Sequence, residues 1–133
     1  MADWSPDGRF VAYVSDENGG RQVFVQTYPD ATAGKWPVSK MGSGYPRWSS
    51  DGRELFYIDP DDFLVASPIT VKGSQLEIGA PARLFEMRTG FRGSAGYPYD
   101  VGRDGRHFVV TRQRTLSRAP GLTVVVNWSA ARP

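Results

Sequence analysis

Short apolar runs, separated by clusters of glycine, proline, aspartate and asparagine, follow one another along this 133-residue chain. The runs are rich in β-branched and aromatic residues, and none has the i, i+3, i+4 spacing of an amphipathic helix. After a first strand that ends near Trp4, strands are predicted near residues 10–15, 21–28, 36–40, 45–49, 54–59, 63–70, 82–87, 97–101, 107–112 and 122–128. The pattern therefore predicts an all-β protein.

One turn-and-strand pattern occurs three times. Residues 4–14 read Trp-Ser-Pro-Asp-Gly-Arg followed by Phe-Val-Ala-Tyr-Val, and residues 48–58 repeat this order 44 positions later. A third copy at residues 101–111 keeps Asp-Gly-Arg but has Val101 and Gly102 where the others have Trp and Ser. A Tyr-Pro pair precedes the second and third copies. Repeats of about 40–50 residues built from short strands are typical of propeller blades.

The repeated turn has a simple conformational basis. Pro6 fixes φ at the second turn position, Asp7 suits the third, and Gly8 accepts a positive φ at the fourth. This order predicts a type I turn with a glycine bulge, which joins two antiparallel strands.

The first copy and the strand that follows it, at residues 21–29, resemble the PD40, or WD40-like, repeat of TolB-type β-propellers. The closing run at residues 122–128 is similar to the C-terminal end of propellers fused to bacterial serine/threonine kinases and to some transcriptional regulators. The resemblance covers nearly the whole chain and implies three blades, at about 1–40, 41–88 and 89–133. It also implies a scaffold that binds proteins, peptides or small ligands.

Three blades are too few for a closed propeller, which has at least about four. An open arc leaves blade faces and edge strands uncovered. We expect the chain to be a single segment of about three four-stranded antiparallel blades, half of a six-bladed propeller completed by self-association. We expect a homodimer, with a trimer as the alternative assembly. The other possibility is that the chain is a fragment of a longer protein.

Composition supports the strand-rich fold and excludes several kinds of site. The chain has 15 Gly and 10 Pro, typical of many turns, and 40% hydrophobic residues, enough for a core. It has no Cys and one His, so disulfides, cysteine-based metal sites and multi-histidine sites are excluded. No apolar run approaches the ~20 residues of a membrane span, and the N-terminus lacks the features of a signal peptide. We expect no membrane partner, and the compartment is left open.

The net charge of +2 is unevenly distributed, because the last third of the chain is rich in arginine. Such a bias can mark a nucleic-acid surface. A solvated surface explains it more simply, so nucleic acid is not the expected partner.

Motifs for catalysis are missing from the sequence: it has no Gly-x-Ser-x-Gly elbow, P-loop or Gly-x-Gly-x-x-Gly. His107 opens a predicted strand and is interpreted as an exposed edge residue rather than a base. The acidic loops at 16–18 and 59–62 could offer oxygen ligands to Ca²⁺. Since aspartate and asparagine are ordinary turn formers, we expect turns there, with no metal and no cofactor.

These observations predict a non-catalytic scaffold for protein or ligand binding. The alternative is an accessory or sensor propeller of a larger enzyme without its catalytic domain. The resemblance suggests two such enzymes, a bacterial serine/threonine kinase or a prolyl-oligopeptidase-type peptidase, whose catalysis would reside in a separate domain.

Two glycine-rich loops, at 41–45 and 89–97, lead into predicted first strands, and the candidate binding residues lie in these loops or close to them. In a propeller such loops open on one face beside the channel. They contain tyrosine and arginine, which are enriched at interface hot spots. The predicted contact residues are Tyr45, Arg47, Phe91, Arg92 and Tyr97. The alternative is that these side chains only fill the loops.

Four aromatic residues recur in register in the first two copies: Trp4, Tyr13, Trp48 and Tyr57. We expect them to pack between adjacent blades.

Overall fold

The computed structural model describes residues 1–73, 75–87, 97–112 and 122–127; for 111–112 and 122–127 only the backbone is described. In these ranges the chain forms strands and turns, and no helix long and apolar enough to cross a membrane is found. The strands are β1 (Ala2–Trp4), β2 (Phe10–Ser15), β3 (Gln22–Thr27), β4 (Lys35–Pro37), β5 (Gly44–Trp48), β6 (Glu54–Ile58), β7 (Phe63–Lys72), β8 (Gln75–Ile78), β9 (Ala82–Glu86), β10 (Tyr99–Val101), β11 (His107–Arg112) and β12 (Leu122–Asn127).

The strands form three antiparallel sheets. Sheet 1 has the order β1-β2-β3-β4, sheet 2 has β5-β6-β7 with both β8 and β9 paired to β7, and sheet 3 has β10-β11-β12 in the described part of the chain. Apart from β8, which intervenes between β7 and β9, the chain runs up and down between neighbouring strands, as in the blade of a propeller. The predicted all-β fold built of antiparallel blades is confirmed.

Two strands differ from the prediction. β4 ends at Pro37 rather than near residue 40, although the Val38 N–H still donates to the Val23 carbonyl at 2.9 Å. β8 was not predicted from the sequence. It pairs with the far half of β7, which runs beyond residue 70 and turns back at Gly73 with φ +63°.

The predicted turn is confirmed in all three copies. The glycine N–H donates to the carbonyl three residues earlier, as between Gly8 and Ser5 at 2.9 Å. The glycines have left-handed backbone angles, with φ +73° at Gly8 and Gly52 and +68° at Gly105. A side chain would strain this conformation, which explains why glycine occupies the fourth position.

Side chains of the turn bond back to its own backbone. The buried Ser49 hydroxyl accepts the Glu54 N–H at 3.0 Å and donates to the Asp51 carboxylate at 2.7 Å. The Arg53 N–H also donates to this carboxylate, at 3.0 Å, and this bond is the main reason the pKa of Asp51 is lowered. These hydrogen bonds fix the backbone of the turn that leads into β6.

The third copy lacks the serine, and its aspartate takes over the missing bond. Asp104 accepts the N–H groups of Arg106 and His107 at 2.9 and 3.1 Å. The Arg106 N–H first, then the His107 ring and the His107 N–H, lower the pKa of Asp104 to about 2. The degraded copy therefore keeps the turn by another route.

Two apolar cores lie between the three sheets. Because successive strand residues point to opposite faces, sheet 2 can bury side chains on both of its faces. Sheet 2 contributes to both cores. The core shared with sheet 1 contains the buried residues Phe10, Ala12, Val23, Val25, Trp48, Leu55, Tyr57, Val65, Ile69 and Leu76. The core shared with sheet 3 contains the buried residues Tyr45, Phe56, Ile58, Leu64, Ala66, Leu84, Met87, Tyr99, Phe108 and Val110.

The buried serine of the turn gives a stability test. Ser49→Ala removes two hydrogen bonds and leaves the Glu54 N–H without its acceptor, so unfolding should become easier by about 1–2 kcal/mol. Urea denaturation monitored by tryptophan fluorescence measures this loss. Ser50→Ala removes an exposed hydroxyl of the same turn, whose bond to the Arg103 carbonyl water can replace, so it should cost less. Equal losses would contradict the assigned role of Ser49.

Candidate functional site

Three of the five predicted contact residues come together where sheets 2 and 3 meet. Tyr45 and Arg47 lie on β5, and Tyr97 lies two residues before β10. Phe91 and Arg92 lie outside the described residues, so their prediction stays untested. β5 and β10 are the first strands of their sheets, which are the strands nearest the axis in a propeller.

Arg47 stacks on Tyr97. The centre of its guanidinium lies 3.8 Å from the centroid of the Tyr97 ring, within the range of a cation–π contact. Its Nε lies 3.6 Å from the Asp100 carboxylate, too far for a hydrogen bond. The Nε is buried and has no hydrogen-bond partner among the described residues. The side chain is 29% exposed, so Arg47 is a positioned cation with unused hydrogen-bonding capacity.

Tyr97 is held by its hydroxyl and by neighbouring rings. The hydroxyl donates to the Pro46 carbonyl at 2.9 Å. The ring meets those of Tyr45 and Tyr99 edge to face, with centroids 6.1 and 6.2 Å away. Burial raises the pKa of Tyr97, so the phenol stays neutral at physiological pH. A neutral and fixed ring is a suitable platform for the Arg47 cation.

Tyr45 supports this platform from behind, since only 1% of it is exposed. Its backbone is left-handed, with φ +59°, where the pairing of β5 with β6 shifts in register. This conformation costs a tyrosine on the order of 1 kcal/mol. The Tyr99 hydroxyl donates to the Tyr45 carbonyl at 2.6 Å and helps to hold it, and burial raises the pKa of Tyr99 well above its usual value. Of these three predicted contact residues, only Arg47 and Tyr97 are partly exposed.

A cavity of about 420 Å³ lies between the β4–β5 connection and sheet 2. The hydroxyl of Ser43, which lines it, is buried and has no hydrogen-bond partner among the described residues. Ser43 belongs to the glycine-rich loop that was singled out, but a serine in such a loop gives no signal that its hydroxyl will be buried.

An ion-pair network borders the same cavity and was not predicted. Arg83 donates from Nε to Asp59 at 2.8 Å and from a terminal nitrogen to Asp61 at 2.6 Å. Asp59 also accepts the N–H groups of Asp61 and Phe63, as the predicted turn requires. Arg83 lies 22 to 24 positions away in sequence, so no local pattern could indicate this pairing.

The histidine and the acidic loops that the sequence offered as a possible base and possible metal ligands lie at a strand end and on turns. His107 is half-exposed at the start of β11, and its Nδ1 lies against the Asp104 carboxylate. In the described ranges no group of three or more His, Cys, Asp or Glu side chains is placed to hold a metal ion.

Comparison with known proteins finds similarity over less than half of the chain. The Tol-Pal system protein TolB of Alcanivorax borkumensis is 44% identical over 55 residues, 39% of this chain and 12% of that protein. Dipeptidyl aminopeptidase BI of Pseudoxanthomonas mexicana is 37% identical over 59 residues, 43% of this chain and 8% of that protein. The uncharacterized peptidase YuxL of Bacillus subtilis is 36% identical over 53 residues, 39% of this chain and 8% of that protein.

No protein-family model matches the sequence. Among solved structures, TolB of Acinetobacter baumannii aligns with a TM-score of 0.40 and 18% identity, over 96% of this chain and 42% of that one. The chain thus spans a small part of the curated relatives it matches, about a tenth of their length. The sequence similarity to TolB agrees with the resemblance carried by the repeat, and both show that the chain is similar to TolB-like β-propellers.

Proposed function

We propose that this chain, which is similar to TolB-like β-propellers, is a non-catalytic propeller segment that binds a protein or peptide partner at Arg47 and Tyr97. The observation that carries the proposal is the partly exposed guanidinium of Arg47, whose side chain is 29% exposed and is held by stacking on the Tyr97 ring. A cation held in place before binding loses little side-chain entropy when an acceptor on a partner reaches it.

The chemistry of the site indicates what the partner presents. A guanidinium offers two parallel N–H donors that match a carboxylate, and its stacking on Tyr97 fixes the direction of these donors. Asp100 lies 3.6 Å away, neutralises the cation only in part, and leaves it available. We therefore infer a peptide segment with a carboxylate, from an acidic side chain or a C-terminus, laid against the Tyr97 ring.

Titration with short peptides tests this proposal. An acetylated hexapeptide of alternating glutamate and glycine should quench tryptophan fluorescence, and its lysine counterpart should not. Arg47→Ala should weaken binding at least tenfold, about 1.4 kcal/mol. Thermal denaturation shows whether each variant is folded.

Arg103→Ala is the matched control, because Arg103 is an exposed turn arginine whose side chain makes no ion pair or ring contact in the described structure. This variant should bind the acidic peptide like the wild type. Equal binding by wild type and Arg47→Ala, or equal losses in Arg47→Ala and Arg103→Ala, would show that only net charge attracts the peptide.

A second candidate function is that of an accessory segment in a larger enzyme. The two relatives named as peptidases favour it, and they make a peptidase a better supported context than a kinase. In that role the segment would gate or position a substrate, while a separate domain would cleave it.

Both candidates predict that the isolated chain is inactive. Purified protein at high concentration should release no more chromophore from a dipeptide p-nitroanilide than buffer alone does. Hydrolysis that follows the protein through successive columns and disappears on heat denaturation would overturn the non-catalytic assignment.

A further inference from the structure

One residue pair makes two hydrogen bonds across the interface between sheets 1 and 2. The Asp3 carboxylate accepts the Trp48 backbone N–H at 2.9 Å, and the Asp3 carbonyl accepts the Trp48 indole N–H at 3.1 Å. Trp48 is 7% exposed and packs in the first core with Ala12 and Tyr57. The face of sheet 2 that carries Trp48 and Tyr57 is thereby buried against sheet 1.

The same positions of the repeat are open in sheet 1. The 44-residue offset places Trp4 where Trp48 stands and Tyr13 where Tyr57 stands. Trp4 is 52% exposed and touches Tyr28 edge-on, with ring centroids 4.5 Å apart. The outer face of sheet 1, the face that carries Trp4 and Tyr13, is therefore a copy of a surface that sheet 2 buries against another sheet.

Sheet 3 presents the complementary residues. In the third copy, Asp100 stands at the position of Asp3 and Val109 at that of Ala12. Their neighbours on β10 and β11 point into the second core, so alternation turns Asp100 and Val109 to the opposite face of sheet 3. At the edge of that face the Asp100 carboxylate still lies 3.6 Å from the Arg47 Nε. The Asp100 side chain is 72% exposed and Val109 is 42% exposed. This surface, the outer face of sheet 3, carries a carboxylate at the repeat position that Asp3 occupies in the internal interface.

We propose that the outer face of sheet 3 binds the outer face of sheet 1 of a second copy of this chain, with Asp100 accepting hydrogen bonds from Trp4. The chain carries both halves of the contact in the register of its own repeat, which is why a second copy is the occupant. Two copies joined head to tail make this contact twice and close a ring of six sheets, within the usual range of four to eight.

One position makes the contact between copies differ from the internal one. His107 occupies the place of the buried Phe10 and is half-exposed beside Asp104. A polar ring there makes the new contact less apolar than the one between sheets 1 and 2, so association should be reversible and depend on concentration.

Sedimentation velocity between 1 and 100 µM tests the proposal. The wild type should sediment as a dimer that dissociates on dilution. Trp4→Ala on one face, and Asp100→Ala or Val109→Glu on the other, should each raise the dissociation constant at least tenfold. Val71→Ala, which shortens an exposed apolar side chain away from both outer faces, should leave it unchanged.

Mixing the variants distinguishes a head-to-tail contact from a symmetric one. A mixture of Trp4→Ala and Asp100→Ala retains one intact contact per mixed dimer, so it should associate more tightly than either variant alone. A monomeric wild type, a trimer, or association unaffected by both sheet 3 variants would overturn the proposal. Asp100 also lies 3.6 Å from the Arg47 Nε, so Trp4→Ala and Val109→Glu, which leave both residues in place, separate the dimer contact from the peptide site.

Discussion

The structure depends on the packing of one sheet face on the next, because a blade has two apolar faces and neither is stable in water. Sheet 2 shows the consequence most clearly: Leu55 and Tyr57 face sheet 1, while Phe56 and Ile58 face sheet 3. Asp3 gives this packing a direction, since it accepts both N–H groups of Trp48 and so sets how sheet 1 lies on sheet 2. The same constraint applies to the outer faces of sheets 1 and 3, which are the faces that the proposed dimer buries.

Much of the fold could be predicted from the sequence, because the repeated turn is specified locally. The order Ser-Pro-Asp-Gly contains its own hydrogen-bonding groups and the glycine that its backbone requires, so the positions of β2, β6 and β11 follow. β8 was missed because it pairs with an extension of β7 that no turn signal announces. Whether a sheet face is buried or exposed depends on which sheet lies next to it, and the periodicity of the sequence alone does not contain that information.

The candidate site was predictable in place and not in detail. Glycine-rich loops before the first strands indicated where tyrosine and arginine would gather, and Arg47 and Tyr97 do meet there. The left-handed backbone of Tyr45 and the bond from Tyr99 that holds it arise from contacts 54 residues apart in sequence. Long-range contacts of this kind also explain why Asp59 and Arg83 could not be paired beforehand. The repeat thus places the candidate residues, and the packing of the sheets determines which of them are exposed.

The stacking of sheet 1 on sheet 2 is the central claim, and the indole N–H of Trp48 reports on it directly. Hydrogen exchange followed by NMR compares this proton with the backbone amides of β6. Bonded to the Asp3 carbonyl and buried between two sheets, it should exchange as slowly as those amides, through global unfolding. Exchange of the Trp48 indole at the rate of a free indole in solution would contradict the account.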